Sequence, residues 1–186
     1  MNVKRSQAAL RPLRAFLLPL LLLPVLCFTL NSCVWMITSN VGPTPMDPAD
    51  LGAEETFTKA GITLHLTDQF TETDSERGFD AYYTASFCGV VVLKQPFTSE
   101  EGLADLELEQ YIRDVIKNNG HTNIEPQQRD GLWYYVNYNN SSYRCVYSYV
   151  YKGSDAFYVV QYIMNNVDED VLKDVIHEWA RATVVE

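Results

Sequence analysis

Acidic residues are absent from Met1 to Met46, and no charge of either sign stands between Arg14 and Asp47. That absence excludes an ordinary amphipathic core helix, because Ala15 to Leu30 offers no polar face beyond Thr29. Histidine is scarce: His65, His121 and His177 are the full set, and none has a second His or Cys two to four positions away. The spacing of a zinc site is therefore missing, and all three are expected at the surface. His177-Glu178 lacks the second histidine of a zinc-protease helix. No Gly-x-Ser-x-Gly elbow occurs, and the nine glycines are too scattered to draw a phosphate-cradling loop. Basic residues are few beyond the N-terminus. Four of the 14 lie within Met1–Arg14, leaving 10 against 24 acids and a formal net charge of −14. Such a body repels phosphate backbones, which excludes nucleic acid as a partner.

What is present begins with a basic leader, Lys4, Arg5, Arg11 and Arg14, followed by 23 almost wholly apolar residues from Ala15 to Ile37. This is the pattern of an export signal or membrane anchor, expected as an N-terminal hydrophobic helix. At about 1.5 Å per residue the run is long enough to cross a hydrocarbon layer of roughly 30 Å. Leu30-Asn31-Ser32-Cys33 also resembles a bacterial lipobox, which implies lipidation of Cys33. Anchor, lipoprotein and cleaved signal remain three alternatives, and all put the rest of the chain on the extracytoplasmic side of the cell membrane. The chain divides into a signal or anchor segment at 1–38, a flexible Pro-rich linker at 39–55 and one domain at 56–186.

Within the domain, Ile62 to Leu66 alternates apolar and polar residues as a half-buried strand does. Thr67 to Gly78 reads as a polar loop, then Ala81–Phe87 and Val90–Leu93 as strands turning at Cys88-Gly89. Leu108, Tyr111, Ile112, Val115 and Ile116 stripe a helix over 106–118, stopped by Asn119-Gly120. Strands Trp133–Tyr138, Tyr143–Tyr151 and Phe157–Met164 follow, joined by short polar turns as a meander. The last is apolar on both faces, so it belongs mid-sheet with layers above and below. A second helix over 168–182 is expected behind an Asp168 cap. The fold class is α+β: an antiparallel sheet sandwiched by helices.

The succession Gly61-Ile62-Thr63-Leu64, Val90 to Lys94, Asp130-Gly131-Leu132-Trp133-Tyr134 and Tyr151 to Gln161 resembles the PsbP-like family. Its members include small extracytoplasmic proteins of Gram-positive bacteria, the photosystem II extrinsic subunit PsbP and a eukaryotic Ran-binding import factor. The similarity covers about Phe57 to Val185. It implies an α/β/α sandwich with a central antiparallel sheet, in relatives that act mainly as binding or assembly modules. No photosystem or Ran contact carries over, because no matching functional motif stands here.

The remaining candidates are few. Glu100, Glu101, Asp105, Glu107 and Glu109 gather where the first helix starts and suit its dipole better than paired catalysis. Cys88 and Cys145 are the two cysteines of the domain and form a candidate disulfide. Tyr143, Tyr147, Tyr149 and Tyr151 alternate along one strand, either as an aromatic binding face or as packing beneath a helix. No catalytic set, metal site or cofactor is expected. The reading is a membrane-tethered, non-catalytic binding or assembly module for a protein or cell-envelope ligand. A hydrolase with its site beside the aromatic meander is the alternative.

Overall fold

The computed structural model describes residues 46–74 and 78–186. The signal or anchor segment, its hydrophobic helix and Cys33 lie outside the described residues. Among the described residues no helix is long and apolar enough to cross a membrane.

In chain order the strands and helices are β1 (Glu54–Lys59), β2 (Ile62–Thr67), β3 (Thr71–Glu72), β4 (Ala81–Thr84), β5 (Cys88–Pro96) and α1 (Leu108–Asn118). They continue as β6 (Gln127–Arg129), β7 (Leu132–Asn139), β8 (Arg144–Lys152), β9 (Ala156–Asn165), α2 (Glu169–Ala182) and β10 (Val184–Val185). Seven strands form one antiparallel sheet in the order β3-β4-β5-β9-β8-β7-β6.

β9 is its middle strand, as its two apolar faces require. Tyr158, Val160, Tyr162 and Met164 point to one layer, where Leu172, Ile176 and Trp179 of α2 and Ile62, Leu64 and Leu66 of β2 meet them. Phe157 and Val159 point the other way, against Tyr111, Ile112 and Ile116 of α1. Phe157 has no exposed surface and stacks on Tyr111 at 4.0 Å between ring centres. Burying a side chain of that kind contributes about 1.5–3 kcal/mol.

α1 ends in a Schellman turn. Gly120 adopts φ 74, its N–H reaches the Lys117 carbonyl, and the His121 N–H reaches that of Ile116.

Several expectations change. The single sheet gains a companion: β1, β2 and β10 form a separate three-stranded sheet that shares the α2 layer. The turn expected at Cys88-Gly89 lies earlier, at Ala85–Phe87, where the Ala85 N–H bonds the Cys88 carbonyl at 2.8 Å. Cys88 is thereby drawn into β5, buried opposite Met164. The loop from Thr67 carries the short strand β3, paired to Thr84 and Tyr83.

Asp168 does not cap α2 with its side chain. It is wholly buried, and its Oδ1 accepts the Met46 N–H at 2.9 Å across 122 residues. Met46 and Leu51 pack on the same core, and Asp47 caps a 3-10 turn at Pro48–Leu51. Met46 to Leu51, within the expected linker, is therefore held against the body by two apolar side chains and a buried carboxylate.

Candidate functional site

β8 sorts its side chains by parity. Tyr147, Tyr149 and Tyr151 face α2, and all three are buried. Their hydroxyls are spent on that helix: Tyr147 donates to Glu169 Oε1 at 2.7 Å and Tyr151 to the Ala180 carbonyl at 2.9 Å. The Tyr149 hydroxyl stands 3.3 Å from His177 Nδ1. Burial pushes the Tyr147, Tyr149 and Tyr151 phenols above their usual range. The aromatic binding face is thus corrected to a packed interior, since a helix rich in Leu, Ile and Trp seats on it. Tyr143 is the exception. It precedes β8 at φ 54 and is 75% exposed.

His177 is also corrected, from surface to interior, at 1% exposure. Its Nε2 lies 3.0 Å from Asp130 Oδ2. Asp130 and Gly131 both take positive φ in a two-residue turn between Arg129 and Leu132, which aims the Asp130 carboxylate at α2. A neutral imidazole with its proton on Nε2 satisfies both contacts, Nε2–H donating to the carboxylate and Nδ1 accepting from Tyr149. Asp130, His177 and Tyr149 form a hydrogen-bonded row resembling an acid–base relay. Its inner end is a buried phenol, so it joins turn, helix and sheet.

The candidate disulfide is corrected as well. Cys88 and Cys145 are free and buried on β5 and β8, the two neighbours of β9, each opposite Met164. Two strand spacings of about 4.8 Å separate them by roughly 9.6 Å, beyond the reach of about 7 Å that a disulfide allows. His65 stays partly exposed, 3.0 Å from Glu54.

One concavity of about 320 Å³ opens where α1 ends, lined by Arg113, Ile116, Lys117, His121, Ile124 and Glu125 among others. The Schellman turn delivers His121 there, and burial lowers its pKa, favouring neutral imidazole. Arg113 is already paired to Glu109 at 3.0 Å and Glu125 at 3.2 Å. Among the described residues no group of three or more His, Cys, Asp or Glu is placed to hold a metal.

A third feature lies at the opposite pole of the sheet from the β8–β9 turn. Tyr138, Tyr143 and Val167 are 51%, 75% and 47% exposed. All are fastened to the short stretch Asn165–Glu169: Asn166 N–H bonds the Tyr143 carbonyl at 2.9 Å, and the Tyr138 hydroxyl donates to Glu169 Oε1 at 2.6 Å.

The whole length of a solved cyanobacterial protein superposes on 78% of this chain. It is PsbP (CyanoP) from Synechocystis sp. PCC 6803, at a TM-score of 0.52 and 14% identity. The fold is PsbP-like. The Ran-binding protein Mog1p of Saccharomyces cerevisiae also aligns, over 72% of this chain and 96% of its own, at a TM-score of 0.47 and 12% identity. No protein-family model and no curated protein matches the sequence.

Within this PsbP-like body, sequence reasoning missed the Asp130–His177 bond and the Tyr138–Tyr143–Val167 tip. The first had a signal in Asp130-Gly131, whose left-handed turn geometry exposes an acid to whatever packs above. The second had one in the two tyrosines that bracket the polar run Asn139 to Ser142.

Proposed function

We propose that the chain is a binding or assembly module held at the extracytoplasmic face of the cell membrane, performing no chemistry of its own. One observation carries the non-catalytic part. The groups with most catalytic promise, His177, Glu169 and the β8 tyrosines, are committed to bonds inside the body. The tethered part rests on the uncharged run Ala15–Ile37 behind four basic residues. A PsbP-like frame supports a module that presents surfaces, and a net charge of −14 beyond the leader directs those surfaces away from nucleic acid.

Crosslinking of the full chain in native membranes, followed by purification, tests the reading. A reproducible protein or envelope partner that is lost from a chain lacking residues 1–45 supports it. Intact-mass analysis of membrane-extracted protein distinguishes a retained leader, a lipid on Cys33 and a cleaved signal.

The alternative is an extracytoplasmic hydrolase with its site beside the aromatic meander, where the hollow at the end of α1 offers one imidazole, His121, 6.1 Å from the Tyr135 ring. Turnover of ester, phosphate or peptide substrates that disappears in His121→Ala would replace the first reading with this one.

A further inference from the structure

Four large apolar side chains stand exposed among the described residues: Tyr138, Tyr143, Val167 and Val184. Three of the four occupy one end of the sheet. The same five-residue stretch that fastens them, Asn165–Glu169, also receives the incoming chain, since Asp168 accepts the Met46 N–H. The exposed aromatic tip and the arrival of the N-terminal segment therefore share one pole of the body.

Chain geometry makes that coincidence informative. Eight residues separate Ile37, the end of the apolar run, from Met46. Nine Cα steps reach at most about 31 Å at roughly 3.4 Å each. The ten residues of β9 put the two poles of the sheet about 30 Å apart at roughly 3.3 Å each. A body leashed at Met46 by that length presents its Tyr143 pole to the membrane, and reaches with the other only at full stretch along its flank. A lipid on Cys33 lengthens the leash to about 45 Å, and the same pole remains the nearer.

The chemistry of the tip agrees. Tyrosine carries an apolar ring and a polar hydroxyl, the combination enriched where headgroups meet acyl chains. Tyr143 holds φ 54, a left-handed conformation that suits Asn or Gly far better. An aromatic side chain kept in an unfavourable turn position, three-quarters exposed, points to a contact outside the body. Asp47, Asp50, Glu169 and Asp170 lie near the same pole, so the surface that fits is zwitterionic and not anionic.

We propose that Tyr138, Tyr143 and Val167 form a membrane-facing foot that seats in the headgroup region of the bilayer holding the chain's own leader. The foot rests on the tethered reading above.

The test uses the full chain reconstituted into phosphatidylcholine vesicles with brominated acyl chains, which quench nearby indoles. In a Trp35→Phe background, Tyr143→Trp is compared with Val184→Trp, a substitution at the far pole; Trp133 and Trp179 are common to both. Both variants float with the vesicles, bromination dims the first and leaves the second unchanged, and phosphatidylglycerol vesicles weaken the dimming. Equal dimming of the two, or none in Tyr143→Trp while the protein floats, overturns the foot alone. Failure to float overturns the tethered reading, and the foot with it.

Discussion

Asp130 Oδ2 lies 3.0 Å from His177 Nε2, although 47 residues separate them in sequence. The carboxylate is itself 61% exposed while the imidazole is buried. Removing the acid leaves a buried N–H without its acceptor, at a cost of about 1–3 kcal/mol. It also places a β-carbon without Asp's local hydrogen-bonding capacity at φ 50. Asp130→Ala is expected to lower stability by about 2 kcal/mol in urea unfolding. Asp130→Asn keeps both an oxygen acceptor and a tolerance for left-handed backbone, and should recover most of that loss.

Two buried tyrosines separate hydroxyls that contribute from one that does not. Tyr151 donates to the Ala180 carbonyl, whereas the buried Tyr162 hydroxyl, near Thr183, has no partner at hydrogen-bond distance among the described residues. Tyr151→Phe should cost about 1 kcal/mol. Tyr162→Phe should leave the unfolding midpoint unchanged or raise it, because a desolvated, unpaired hydroxyl is removed. Parallel thermal unfolding of the two variants checks the contrast.

The β1–β2 hairpin turns through Ala60 and Gly61, at φ 58 and 84. Both positions want a residue at ease in the left-handed region, and Asn-Gly is the favoured pair. Ala60→Asn should therefore stabilise the protein by about 0.5–1 kcal/mol, read as a higher melting temperature. Gly61→Ala should act oppositely, since its new methyl would stand 2.6 Å from the Tyr158 hydroxyl. A loss of about 1–2 kcal/mol is expected.

Stability should fall at alkaline pH. Burial pushes the Cys145 thiol up to about 12 from an ordinary value of 9.0. The hydrogen bond to Glu169, with burial, pushes the Tyr138 phenol up to about 12 from 10.0. Burial also raises the Tyr111 and Tyr162 phenols. The folded chain keeps these protons where the unfolded chain releases them, so unfolding becomes easier as pH rises. The stability is complete below about pH 9 and lost progressively between pH 9 and 12. The urea midpoint should follow that course, and phenolate absorbance should rise together with loss of tertiary circular dichroism.

Much of this was legible in the residues because the driving signal was local. The apolar stripe of α1, the two-faced β9 and the helix stop at Gly120 each depend on a short window of sequence, and each stands where expected. What escaped depends on distant partners. Asp168 looked like a cap because it precedes a helix, but Met46 claims it from 122 positions earlier in the sequence. The β2 pattern announced a strand without saying that β10 would make it part of a second sheet. His177 read as surface because nothing near it in sequence shows that Asp130 and Tyr149 close over both nitrogens. Alternation along β8 placed Tyr147, Tyr149 and Tyr151 on one face correctly, while leaving open whether that face was a platform or a floor.

Cys88 and Cys145 flank Met164 with a strand between them, sealed from solvent and from each other. In surroundings rich in oxidants, their thiols stay silent for as long as the sheet holds. Any thiol-seeking reagent must wait for the body to open, so its rate of capture at these two positions becomes a clock for unfolding, with no engineered label.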